Sequence, residues 1–269
     1  MKREPNKIKK LVLQNAIFYL FALMIVIGLK YHYSRAGSDD LIWILGPTAE
    51  LVEQIGGIPF ESEAGAGFVN HKLRVIIAPA CAGVNFLIIG FCTAVFSSLH
   101  YFKPIRAKIA WLTISALSAY LLTIPVNALR ILLSIYVYDA DIYSGWLTAQ
   151  RMHRLEGVVI YFFFLCLFYR IIMKATHHYL RTTAKKRDTG FRRNLTLCGD
   201  NHWSRAGLIP LIWYGLITLG IPLINAAYSK NGFRFIEHCG MVICGCLMVL
   251  TAIFLIQSGW RRIKNCLAR

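Results

Sequence analysis

Three short stretches of the sequence carry side chains of the types that acyl transfer needs. The first is Pro79-Ala80-Cys81-Ala82-Gly83, a thiol among small residues just ahead of an apolar run. The spacing predicts that Cys81 stands at the start of a helix. A first helical turn leaves backbone N–H groups without intrahelical partners, and such donors favour the nucleophilic thiolate over the thiol. The second is Pro125-Val126-Asn127-Ala128-Leu129-Arg130, which Ile131 to Val137 continue as a hydrophobic run. An ionisable group flanked in this way by apolar residues is a functional candidate; the alternative is an arginine that snorkels to lipid headgroups. Asn127 lies three residues earlier on the same helical face, where its amide can fix Arg130 or donate to a substrate. The third stretch is Arg151-Met152-His153-Arg154-Leu155-Glu156-Gly157. Glu156, three residues after His153, either orients the imidazole or pairs with Arg154 or Arg151, and pairing is the more ordinary outcome. A nucleophile, a base that can return its proton to a leaving amine, and a fixed cation for an oxyanion together describe a site for acyl transfer.

These residues need elements that bring them to one place, and the composition indicates a membrane. The 269-residue chain is 57% hydrophobic, above the roughly 45–50% of soluble domains, with a mean hydropathy of +0.52. A net charge of +17 would suit nucleic acid if the basic residues gathered on one folded surface, but they lie between apolar runs. Six runs are long enough to cross a bilayer as helices: approximately Leu11 to Leu29, Val84 to Phe102, Ile109 to Val126, Gly157 to Met173, Ala206 to Ala227 and His238 to Ser258. The first is longer than the apolar stretch of a secretory signal and has no clear cleavage site after it, so it reads as a retained helix. The expected fold class is an all-α polytopic integral membrane protein.

Lysines and arginines crowd the N-terminus, the turn at Lys103, Arg106 and Lys108, the stretch from Lys174 to Arg205 and the tail from Arg261 to Arg269. All four fall on one side of a six-helix path, which makes both termini cytoplasmic and puts all three motifs at the periplasmic boundary of a bacterial inner membrane. Leu41 to Gly57 has helical spacing but carries Pro47, Glu50 and Glu53 in its middle. Each central carboxylate opposes insertion by roughly 2.5–3.5 kcal/mol. It therefore reads as a re-entrant or interfacial helix on the outer face. Ile58 to Ala78 reads as a short outer hairpin leading into the next helix. The chain divides into a catalytic candidate region, residues 1–173, a mobile basic linker, 174–205, and a C-terminal helical hairpin with a basic tail, 206–269.

The other cysteines do not form a disulfide framework. Cys92, Cys166, Cys244 and Cys246 fall inside apolar helices, where a thiol acts as a small hydrophobe, and Cys198 and Cys266 are cytoplasmic. Cys239 is the only plausible partner for Cys81. The histidines and cysteines lack zinc-ligand spacing, and no glycine-rich phosphate loop is present, so no metal or organic cofactor is expected.

At the three motifs the sequence resembles the exosortase/archaeosortase family of integral-membrane cysteine transpeptidases, most closely the exosortase K type. The resemblance runs from about residue 40 to 175 and includes Leu45-Gly46-Pro47-Thr48. The family's Ala-Cys-Ser-Gly is similar to Ala80-Cys81-Ala82-Gly83, its Asn-x-x-Arg to Asn127 through Arg130, and its His followed by Gly at i+4 to His153 and Gly157. The departure is Ala82 in place of serine, which leaves any positioning role of that hydroxyl to backbone N–H groups or to Asn85. The resemblance implies Cys81, Arg130 and His153 as the catalytic set. Its implied substrates are exported proteins whose C-terminal signal joins a motif such as Pro-Glu-Pro to a spanning helix and an Arg-rich tail. The contrasting reading is a non-catalytic transporter or assembly partner of an envelope export system, in which Arg130 and His153 line a polar pathway. Such a protein normally places its broken helices at mid-membrane, whereas here the polar residues gather at one boundary.

Overall fold

The most enclosed helix is α3 (Val84–Ser98), which has no charged residue and whose hydroxyl residues Thr93, Ser97 and Ser98 are buried, leaving Asn85 near its start as the exposed polar side chain. A helix without a polar face has to be enclosed, and the span containing it, Pro79–Tyr101, is 78% buried, against 17% for Leu13–Arg35 of α1 (Pro5–Arg35). The computed structural model describes residues 5–140, 143–145, 147–187, 202–224 and 232–267. Around α3 stand α1, α4 (Ile105–Asp139), α5 (Ala149–Arg187) and α6 (His202–Gly215), and α7 (Gly232–Leu267) packs outside them against α5. A π turn at Leu216–Gly220 and a last turn at Ile221–Ile224 extend α6. Among the described residues, six helices are long and apolar enough to cross a membrane.

At about 1.5 Å per residue, the 35 residues of α4 and the 39 of α5 measure about 52 Å and 58 Å, well beyond a hydrocarbon core of about 30 Å. Both therefore project past the bilayer. The helical part of α5 runs through Lys174, the expected start of a mobile linker, to Arg187. Residues 188–201 of that linker, with Arg192, Arg193 and Cys198, lie outside the described residues, as do Asp141 and Arg269.

The interrupted segment forms α2 (Ile42–Gly56), too short at 15 residues to cross. It buries Ile44, Leu45, Thr48, Ala49 and Val52 on one face. It stands along one half of α4: Trp43 stacks on Tyr120 at 5.8 Å and accepts that tyrosine's hydroxyl at its carbonyl (2.7 Å), while Gly56 lies against Leu132. The expected hairpin is present and gains a third strand. β1 (Glu61–Glu63), β2 (Gly67–Asn70) and β3 (Val75–Ile77) form an antiparallel sheet in chain order, with Ser62 opposite Phe68 and Val69 opposite Ile76. β3 leads through a 3-10 turn, Pro79–Cys81, into α3.

Aromatic contacts join the helices. Phe96 of α3 lies between Tyr19 of α1 (5.1 Å) and Trp213 of α6 (4.7 Å), and Phe162 of α5 meets Tyr214 edge-on at 5.5 Å. α7 approaches α5 closely at Gly245, where a Cβ would fall 2.7 Å from a methyl of Val158. Cys81, Cys92, Cys166, Cys239, Cys244 and Cys246 are free thiols.

Candidate active site

Cys81 ends the 3-10 turn, and its N–H donates to Ala78 at 2.8 Å. Gly83 follows in the left-handed region (φ +73°) and caps α3. This differs from the expectation that Cys81 opens the helix itself. The open N–H groups of the first α turn belong to Val84, Asn85 and Phe86, because the left-handed glycine separates the cysteine from the helix. Gly83 is there for two reasons: the sign of φ, and space. A Cβ on it would lie 3.1 Å from Thr123 Cγ2 and 3.2 Å from Asn127 Cγ. That closeness lets the Asn127 amide donate to the Cys81 carbonyl at 2.5 Å.

Two helix lengths place the second and third motifs at one level. Arg130 lies 25 residues from the start of α4 and His153 lies 21 residues before Lys174, distances along the helices of about 38 Å and 32 Å. Each is about one membrane thickness from a basic helix end. α4 and α5 then face each other through Asn127, Arg130 and Ser134 on one side and His153, Glu156 and Tyr161 on the other, as helical spacing requires.

Arg130 is 8% exposed, and among the described residues no carboxylate forms an ion pair with it. Its Nη1 donates to the Tyr161 hydroxyl at 3.1 Å, and its Nη2 points at His153 Nε2 at 3.4 Å. Nε has no partner. The guanidinium also lies over the Tyr161 ring at 5.3 Å, and that ring stacks on Phe86 of α3 at 4.7 Å. The Tyr161 hydroxyl in turn donates a hydrogen bond to Asn127 Oδ1 at 2.7 Å. One chain of hydrogen bonds thus runs from the guanidinium to the backbone of Cys81. Arg130 and Cys81 are close enough to interact electrostatically.

A second chain holds the imidazole. Ser134 Oγ is 2.8 Å from Glu156 Oε2 and 2.9 Å from His153 Nδ1. A carboxylate only accepts, so the hydroxyl donates to Glu156 and accepts from Nδ1–H. The neutral ring is thereby fixed with its lone pair on Nε2, the atom that faces Arg130. Glu156 thus orients His153 through Ser134. The expected alternative pairing goes elsewhere, since Arg151 bonds Glu237 of α7. We expect Ser134→Ala and Glu156→Gln each to lower turnover roughly tenfold, the worth of one such hydrogen bond, with KM unchanged. Equal loss in KM would show that these residues hold substrate rather than the imidazole.

Cys81, Ser134, His153 and Glu156 line one open cavity of about 340 Å³, and the residues of β3 form part of its wall. No hydrogen bond joins the thiol to the imidazole. Asn85 does not line the cavity: it is exposed and accepts from Lys30 of α1 at 2.6 Å. It lies four residues after Cys81, but the left-handed Gly83 breaks the helical phase that would have put the two on one face. Ser134 and Tyr161 escaped the sequence reading. Each continues a helical stripe already identified, Asn127–Arg130–Ser134 and His153–Gly157–Tyr161, by one turn. Metal-ligand clusters of three or more histidine, cysteine or acidic residues do not occur among the described residues.

Comparison with curated proteins gives no match, and comparison with solved structures gives none. Residues 10–170, more than half the chain and all three motifs, match the family described as transmembrane exosortase, membrane proteins associated with sorting-signal processing, and the chain belongs to that family.

Proposed function

We propose that the chain is a membrane-embedded cysteine transpeptidase, an exosortase of the K type, that cleaves C-terminal sorting signals of exported proteins. The observation that carries this reading is the buried Arg130, which has no carboxylate in an ion pair with it among the described residues, a buried Nε without a hydrogen-bond partner, and a place between the imidazole and the residues that fix the thiol's backbone. Such a cation is complementary to a negative charge that arises during a reaction. Cys81 loses its proton to His153 Nε2 and its sulfur attacks the scissile carbonyl. The carbonyl electrons move onto oxygen, beside Arg130. Collapse reforms the carbonyl, breaks the C–N bond and returns the proton from His153 to the departing amine. The thioester on Cys81 is then resolved by an acceptor nucleophile. The distribution of Lys and Arg supports cytoplasmic termini and a cavity that opens to the periplasm of the inner membrane, where exported substrates lie.

The test is to capture the thioester. An exported reporter with a Pro-Glu-Pro motif, a spanning helix and an Arg-rich tail is expressed with the protein, quenched in acid and analysed by mass spectrometry. The expected result is a reporter fragment on Cys81 that neutral hydroxylamine releases. Reporter cleavage with no adduct at Cys81, and undiminished cleavage in Cys81→Ala, would overturn the reading.

A further inference from the structure

The wall of the cavity contains an unused strand edge. β3 hydrogen-bonds to β2 along one side, and no backbone hydrogen bond joins its other side to another element among the described residues. N–H and C=O groups alternate sides along a strand, so this edge presents backbone donors and acceptors beside Cys81, four residues on from Ile77. Arg74, immediately before β3, also lines the cavity. It is the only non-glycine among the described residues with positive φ (56°), and its exposed guanidinium forms no ion pair with any of those residues. A bulky residue in the left-handed region is strained, and strain of this kind is retained where the surroundings need that residue in that place. The two observations are independent, one from the backbone and one from a side chain, and both concern residues that line the same cavity.

We infer that the free edge of β3 receives the substrate as an added extended strand and that Arg74 pairs with an acidic side chain of that strand, on the N-terminal side of the scissile bond. The inference rests on the peptidase reading of the cavity. β3 descends through the 3-10 turn into α3, and a substrate that descends into its own spanning helix runs in the same sense, parallel to β3. Main-chain pairing then supplies affinity for any extended segment, and Arg74 supplies the choice of charge.

Two peptides test this directly, a fluorescein-labelled blocked segment containing Pro-Glu-Pro and its Pro-Lys-Pro counterpart, titrated onto full-length Cys81→Ala protein in nanodiscs. Binding is read without catalysis, so a failure of the peptidase reading leaves this measurement intact. We expect the Glu peptide to bind at least tenfold tighter than the Lys peptide. Arg74→Glu reverses that order. Arg74→Asn, which tolerates the left-handed backbone, abolishes the preference and serves if the reversed-charge variant does not accumulate. An ester in place of the Glu amide N–H weakens binding severalfold. Equal binding of both peptides, binding of neither, or an unchanged preference in the Arg74 variants overturns the charge pairing. Full affinity of the ester overturns the added strand.

Discussion

Cys81→Ala is expected to abolish reporter cleavage and adduct formation while the protein accumulates in the membrane at its normal level. The fold around position 81 is held by backbone and not by sulfur. The N–H of residue 81 donates to Ala78 and its carbonyl accepts from Asn127, and both groups remain in the variant. The side chain is partly exposed to the cavity, so removing the sulfur leaves no closed void to destabilise the bundle. Cys81→Ser separates nucleophilicity from hydrogen bonding. A hydroxyl is far less ionised than a thiol, and the imidazole is not hydrogen-bonded to it, so serine is expected to be as inactive as alanine. Cleavage by either variant, measured against an uncleaved reporter on a gel, would remove the thiol from the mechanism.

Arg130 gives the second large effect. Loss of a donor that stabilises an oxyanion lowers turnover by about 10²–10³, and Arg130→Gln is expected to fall in that range. Arg130→Lys is expected to fare little better. The guanidinium reaches Tyr161 with Nη1 and His153 with Nη2 while Nε remains open, three directions set by one planar group; an ammonium on a flexible stem cannot hold all of them. On the proposed mechanism the effect should appear in kcat more than in KM, because the charge assigned to Arg130 arises only in the transition state. A variant with raised KM and normal kcat would instead make Arg130 a substrate-binding residue.

The parts of this arrangement that were legible in the sequence share one property: they depend on spacing within a single element. The crossing helices follow from run length. α2 was recognisable as a non-crossing helix because Pro47, Glu50 and Glu53 interrupt it, and Asn127 with Arg130, or His153 with Glu156, share a face by the period of the helix. What the sequence did not disclose are contacts between elements. That Glu156 meets Ser134 and not Arg154 depends on how far α4 and α5 are rotated towards each other, and nothing local to either helix sets that angle. Asn85 shows the reverse case. Its expected place near the thiol assumed an unbroken helix from Cys81, and a single left-handed glycine turned it towards Lys30. The third strand, β1, was hidden for a simpler reason: Glu61-Ser62-Glu63 is polar throughout and carries no apolar alternation to mark a strand.

Apolar side chains alone let neighbouring helices roll about their axes at little cost, since one methyl group serves nearly as well as the next. The polar chain between α4 and α5 removes that freedom. Asn127, Arg130 and Ser134 engage Tyr161, His153 and Glu156 over three successive turns, and a roll by one residue would unseat every bond together. The two helices are keyed like shafts on a common spline. Any opening that admits a polypeptide between helices must therefore be made by elements outside this pair, and the spans of α1 and α6, each with most of its length uncovered, are the least encumbered of them.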